Sequence, residues 1–213
     1  MLNVLNQGQI NKSPGVNLVA SSGEYAETLT TQLQPRYYQN AYRGQTFLTA
    51  ISNAAVTAYS GAAAGTPLLG LWNPSYNVKN LVLLQAAASV YTAAATTAVT
   101  VAFRLYGGPT AAITGTLVAP VNALTLIGVA GQGSIALASS NAANTGSSAL
   151  TYICTIGSYY WASALEAQKT DPIIYDCAGA IVIPPGSMIA LGGSVVPTTA
   201  TFNAFLIWAE VPI

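Results

Sequence analysis

Residues 178–195 read Ala-Gly-Ala-Ile-Val-Ile-Pro-Pro-Gly-Ser-Met-Ile-Ala-Leu-Gly-Gly-Ser-Val, two short apolar runs hinged on Pro184-Pro185-Gly186. Proline fixes φ and withdraws a backbone donor, and glycine accepts the positive φ that follows, so the hinge ends regular structure and turns the chain. The runs on either side are too short to stand as helices, and Ile and Val pack well on a pleated surface. The segment reads as strand, turn, strand.

The same punctuation recurs outward from this point. Further strands are predicted over Gln45–Ser52, Thr66–Trp72, Asn80–Ser89, Ala98–Tyr106, Ala112–Val118, Leu150–Ile156, Ile173–Tyr175 and Thr201–Glu210, beside Ala178–Ile183 and Met188–Val195. Asn73-Pro74-Ser75, Gly107-Gly108-Pro109 and Pro197 supply turns. Short strands at this spacing indicate an all-β domain, and no fixed-period repeat points to a solenoid or propeller. The uncharged stretch Asn122–Ser148 fits strand, small-residue helix or surface loop equally, and we read it as a long insertion between strands. Over Tyr159–Lys169 the spacing of Trp161, Leu165 and Gln168 predicts a short helix or turn.

Residues 1–43 differ in character. They hold Lys12, Glu24, Glu27, Arg36 and Arg43, five of the twelve charges, with Pro14 and Pro35 as breakers and no sustained period. This is an extended N-terminal arm preceding a domain over 44–213. Gly23–Leu29 is expected to make one or two helical turns capped by Ser21 or Ser22.

The 213 residues suffice for one core, but only 6% are charged, against about 25% in an ordinary soluble chain. The net charge is zero and histidine is absent. A basic face for nucleic acid is thereby excluded, along with Ser-His-Asp and Cys-His catalysis and most zinc sites. Mean hydropathy is +0.48, yet the best membrane-span candidate, Leu81–Phe103, is interrupted by Gln85, Ser89, Thr92, Thr96, Thr97 and Thr100. No membrane span is expected. Nor is export, since MLNVLNQGQINKSPG has neither a basic n-region nor an apolar h-region. Alanine, threonine, serine and glycine dominate, and a soluble chain this poor in charge is one whose surface is covered by copies of itself or by a partner.

Cys154 and Cys177 lack the paired spacing of a metal or redox motif and read as buried thiols, with a disulfide between them as the alternative. Glu166, Asp171, Asp176 and Glu210 offer carboxylates for a glycosidase pair, but no local pattern selects two of them and the structural reading is preferred. Gly131-Gln132-Gly133 and Gly192-Gly193 are turn glycines, since no Lys-Ser/Thr follows them. No catalytic residue, metal or cofactor is expected. Arg36-Tyr37-Tyr38-Gln39-Asn40-Ala41-Tyr42-Arg43 is the interface candidate, because Tyr gives large contact area at small entropic cost and Arg makes forked hydrogen bonds. Arg36, Tyr37, Tyr38, Tyr42 and Arg43 are assigned to partner binding, or else to sealing the sheet edge. Tyr159, Tyr160 and Trp161 form a second aromatic group, either a core or intersubunit seam or a platform for sugar.

Tyr42-Arg43-Gly44-Gln45-Thr46-Phe47, Leu71-Trp72-Asn73-Pro74-Ser75 with Lys79-Asn80-Leu81-Val82-Leu83-Leu84 behind it, Ile183-Pro184-Pro185-Gly186-Ser187, and Ile207-Trp208-Ala209-Glu210-Val211-Pro212-Ile213 together resemble tailed-bacteriophage virion structural proteins over residues 42–213. The resemblance implies an antiparallel β-sandwich of jelly-roll type, assembled as a homotrimer in the host cytoplasm. It would bind the major capsid protein on the capsid exterior as a decoration (cement) protein, or serve as the base of a head fibre. The alternative it leaves open is a tail or head-fibre protein binding host-surface glycans.

Overall fold

The structure is a computed structural model that describes residues 21–22, 28–29, 37–55, 58–61, 66–92, 99–113, 116–124, 134–140, 149–161, 171–195 and 200–213. The chain divides into two compact units, Met1–Tyr38 and Gln39–Ile213. In the first, β1 (Ser21–Ser22) pairs antiparallel with β2 (Thr28–Leu29), so Thr28 and Leu29 are strand where helical turns were expected; residues 23–27 lie outside the described ones. The division falls earlier than the expected boundary at 43/44. The reason is local: Gly44 and Gln45 donate their amides back to Ala41 and Asn40, and Asn122 Nδ2 donates to Gly44 O at 2.8 Å, which ties this turn to the second unit.

The second unit is a sandwich of two antiparallel sheets. After helix α1 (Tyr38–Tyr42) come β3 (Thr46–Ala55), β4 (Leu69–Asn73), β5 (Lys79–Thr92), β6 (Val99–Pro109), β7 (Thr116–Val118), β8 (Val121–Asn122), β9 (Leu137–Ser140), β10 (Thr151–Trp161), β11 (Ile173–Ile183), β12 (Ser187–Gly193) and β13 (Thr201–Pro212). One sheet has the order β11-β5-β13-β3-β8 and the other β10-β6-β12-β4-β9-β7. Number the eight long strands β3, β4, β5, β6, β10, β11, β12 and β13 along the chain. The first then pairs with the eighth, the eighth with the third and the third with the sixth, while in the other sheet the second pairs with the seventh, the seventh with the fourth and the fourth with the fifth. That is jelly-roll connectivity.

Pro184-Pro185-Gly186 is therefore a corner that carries the chain from β11 in one sheet to β12 in the other. Gly186 has φ 77° and the Ser187 amide donates to Pro184 O at 3.2 Å, a turn with positive φ at its third position. The core lies between the sheets. Phe202, Ala204, Leu206 and Trp208 point into it from β13 in strict alternation, and Phe103 on β6 meets Phe202 edge-on at a centroid distance of 5.1 Å. Burial of such a ring contributes roughly 2–3 kcal/mol.

Several expectations need correction. Tyr159, Tyr160 and Trp161 end strand β10 and are not helical; residues 162–170 lie outside the described ones. Ile173–Tyr175 and Ala178–Ile183 are one strand, β11, interrupted by a bulge in its pairing with β5 between Asp176 and Ile181. The Asp176 carboxylate accepts the Ala178 amide there at 2.8 Å, and Ala178 and Gly179 adopt positive φ. The insertion is also more than a surface loop. Its β9 lies between β4 and β7 inside the six-stranded sheet, while Ala119-Pro120 carries the chain from β7 in that sheet to β8 in the other, closing one side of the sandwich. Among the described residues no helix is long and apolar enough to cross a membrane.

Candidate functional site

The interface candidates from the sequence are only partly brought together. Tyr38 and Tyr42 lie four positions apart on α1, hence on one helical face, and both are exposed, Tyr42 by 62%. Arg43 follows them, exposed, at the entry to β3, and Tyr37 is half-buried at φ 70°. Arg36 lies outside the described residues. The second group does not form a platform. Tyr159 is buried, edge-on to Phe103, with its hydroxyl donating to Ala88 O at 3.3 Å and to Asp171 O. Its neighbour Tyr160 is exposed, because successive side chains of a strand take opposite faces.

The motif residues behind the family resemblance converge on one corner and serve the fold. Asn73, fully buried at the end of β4, donates Nδ2 to Lys79 O and to Ile183 O, each at 2.9 Å, and accepts Asn77 Nδ2 on its Oδ1 at 2.7 Å. Its carbonyl receives the Gly186 amide at 2.7 Å. Glu210 has a side chain with no exposure, and all its partners are structural: Ser134 Oγ at 2.7 Å, the Ile135 amide at 2.9 Å and Lys79 Nζ at 3.2 Å. A carboxylate so engaged cannot act on a substrate. Of the other acids, Asp171 and Asp176 are exposed and Glu166 lies outside the described residues. Among the described residues no three His, Cys, Asp or Glu side chains come together to hold a metal.

Cys177 sits in the core cluster and Cys154 packs against it, both as free thiols. Burial is the main force raising the Cys177 thiol to about 12, with the neighbouring Cys154 adding to it. Burial also raises Cys154, an effect opposed by a hydrogen bond with Tyr175.

The two outer sheet faces differ. On the six-stranded sheet Tyr59, Trp72, Tyr106, Leu150 and Met188 form a second buried cluster covered by connecting segments. The Tyr106 hydroxyl donates to Tyr59 O at 3.0 Å, Trp72 Nε1 donates to Thr110 O at 3.2 Å, and the Leu150 amide donates to Gly61 O at 2.7 Å. The five-stranded sheet has no such covering cluster among the described residues. Its register places Ile174, Ala87, Phe205 and Ala50 in one row across four strands, with Asp176, Gln85, Ile207, Leu48 and Val121 in the next. Ile174 is 58% exposed and Val182, one row further, 51%. Asp176, on the edge strand, is the one ionisable group in these rows.

Sequence reasoning missed this face, although the signal is there: Leu81-Val82-Leu83-Leu84 and Phe205-Leu206-Ile207-Trp208 are apolar at odd and even positions alike, where a sheet wetted on one side alternates. Comparison of the chain with protein-family models, with curated proteins and with solved structures finds no match to any of them.

Proposed function

We propose that this chain is a non-enzymatic structural component of a bacteriophage virion, a decoration protein that binds the major capsid protein lattice from outside as a homotrimer and stabilises the head. The observation that carries the reading is that, among the described residues, the outer face of the five-stranded sheet lines up apolar side chains with Asp176 as the one ionisable group in the two rows above, and that Ile174 and Val182 at its edge are more than half exposed. Jelly rolls recur in capsid proteins and in lectins, so the fold alone does not choose between them. The structural role is favoured over glycan binding because Tyr159 is core and shares no surface with Tyr160.

In this reading Tyr38, Tyr42 and Arg43 lie across the shell, and many weak contacts repeated on a symmetric lattice add up to stable attachment. The test is to add the purified chain to capsids that lack it, then score occupancy and resistance to heat. Binding with a raised capsid melting temperature is expected, and capsids that stay bare and no more heat-resistant would overturn the proposal. Replacing Tyr38 and Tyr42 together by alanine should cut occupancy at least several-fold while the free protein stays folded, with its far-ultraviolet circular dichroism unchanged. Full occupancy by that variant would remove α1 from the contact.

A further inference from the structure

We infer that Cys154 and Cys177 form an oxidisable latch, which a small-molecule disulfide converts from two free thiols into a covalent bond between the two sheets. The inference concerns the sandwich itself and stands apart from what the chain assembles with. β10 is the outermost strand of the six-stranded sheet and β11 that of the five-stranded one. At the opposite side of the sandwich the main chain itself crosses between the sheets, through Ala119-Pro120. Along β10 and β11 the sheets meet through side chains.

These contacts follow one antiparallel order. The Tyr159 hydroxyl donates to Asp171 O, a methyl group added at Gly157 would come within 2.7 Å of Ile173 Cγ2, and Cys154 hydrogen-bonds with Tyr175. Moving back along β10 therefore moves forward along β11, whose less exposed positions alternate through Ile173, Tyr175 and Cys177. Cys177 is the next inward position after the one that Cys154 already touches, and Cys154 packs against the core cluster that holds Cys177. Reach is the second requirement. Facing sheets ordinarily lie about 10 Å apart, too far for a disulfide, which joins Cα atoms about 4.4–6.8 Å apart. Between β10 and β11 Cα atoms come within 8 Å, and Gly157 has no side chain to hold the strands apart.

The exposures divide the chemistry between the two sulfurs. Cys154 is half-buried and meets the reagent first, whereas Cys177 is 5% exposed. With glutathione disulfide, the Cys154 thiolate attacks one sulfur, the reagent's S–S bond breaks and one glutathione leaves as thiolate. Cys177 then gives its proton to solvent and attacks the Cys154 sulfur, expelling the second glutathione. Two protein thiols are oxidised by two electrons, and one glutathione disulfide is reduced to two thiols. Burial raises both protein thiols, Cys177 to about 12, and a thiol of high pKa leaves a disulfide slowly, so the bond resists reduction once made.

The test treats the folded full chain with glutathione disulfide at pH 8, blocks the remaining thiols and maps the peptides by mass spectrometry. A peptide pair linked through Cys154 and Cys177 within one chain is expected, with no glutathione retained. Closing a loop between residues 23 positions apart should lower the unfolding equilibrium constant roughly a hundredfold, read as a higher denaturant midpoint that is lost when the sample is unfolded with dithiothreitol present. Cys177→Ala should stop at a stable glutathione adduct on Cys154, with no rise in midpoint. Cys154→Ala should stay unmodified while folded. Wild-type protein that keeps glutathione on Cys154 beside a free Cys177 would overturn the inference. So would links that join two chains, or a folded chain that stays reduced while one unfolded in urea is oxidised. The wild-type measurements decide the matter alone should either variant fail to fold.

Discussion

The Cys177 thiol, held at about 12 chiefly by burial, makes a test at the scale of one residue. The Tyr59 phenol is likewise raised to about 12, by burial first and Tyr106 second. Ordinary values are 9.0 for such a thiol and 10.0 for such a phenol, so the folded state binds these protons more tightly than the unfolded state. Their contribution to stability is therefore complete below pH 9 and is lost as pH rises toward 12. Unfolding midpoints in denaturant should hold steady from pH 7 to 9 and fall steeply above about pH 10. At pH 8, iodoacetamide should modify the half-buried Cys154 first and reach Cys177 on the timescale of unfolding. Equal labelling rates for the two thiols, read by mass spectrometry, would contradict this burial.

At the scale of elements, Glu210 joins three pieces of chain that the sequence keeps far apart: β13, the start of β5 through Lys79, and the lead-in to β9 through Ser134 and Ile135. Glu210→Ala leaves a buried amide and hydroxyl without an acceptor and should cost roughly 2–4 kcal/mol. Hydrogen exchange should quicken most in β9, and Glu210→Gln, which keeps an oxygen in place, should lose less. Unchanged protection in β9 would refute the clamp. The sequence showed most of these elements, because alternation and proline-glycine breaks are local properties. It did not show that Pro184-Pro185-Gly186 changes sheets and closes no hairpin, or that Glu210 faces inward, since both depend on partners more than 70 positions away. Tyr159 was ambiguous for a related reason: helical spacing and strand alternation overlap in so short a run, and only the ring of Phe103 across β6 decides between them. Tyr38 and Tyr42 were legible as interface candidates from composition, whereas the apolar outer face of the five-stranded sheet was not, since it depends on which strands lie side by side.

At the scale of the whole molecule, zero net charge and only twelve charged side chains mean that the proposed attachment to a shell would owe little to Coulomb forces. Raising sodium chloride from 50 to 500 mM shortens the screening length from about 14 Å to about 4 Å, yet the association constant should change less than about threefold. A tenfold loss, measured by sedimentation across that range, would mean that charges dominate the contact after all. The sandwich itself was foreseeable from strands and turns. The arrangement of β13 carries a further consequence. It lies between β3 and β5, and both are made before it. While the ribosome is still adding residues before 201, the centre of this sheet is missing, and β3 and β5 each hold an unpaired edge. Pairing at such sequence separation is slow, and exposed edges invite the wrong neighbour. The nascent chain therefore cannot complete this sheet until β13 has been made, and until then the edges of β3 and β5 are the places where a wrong neighbour can pair.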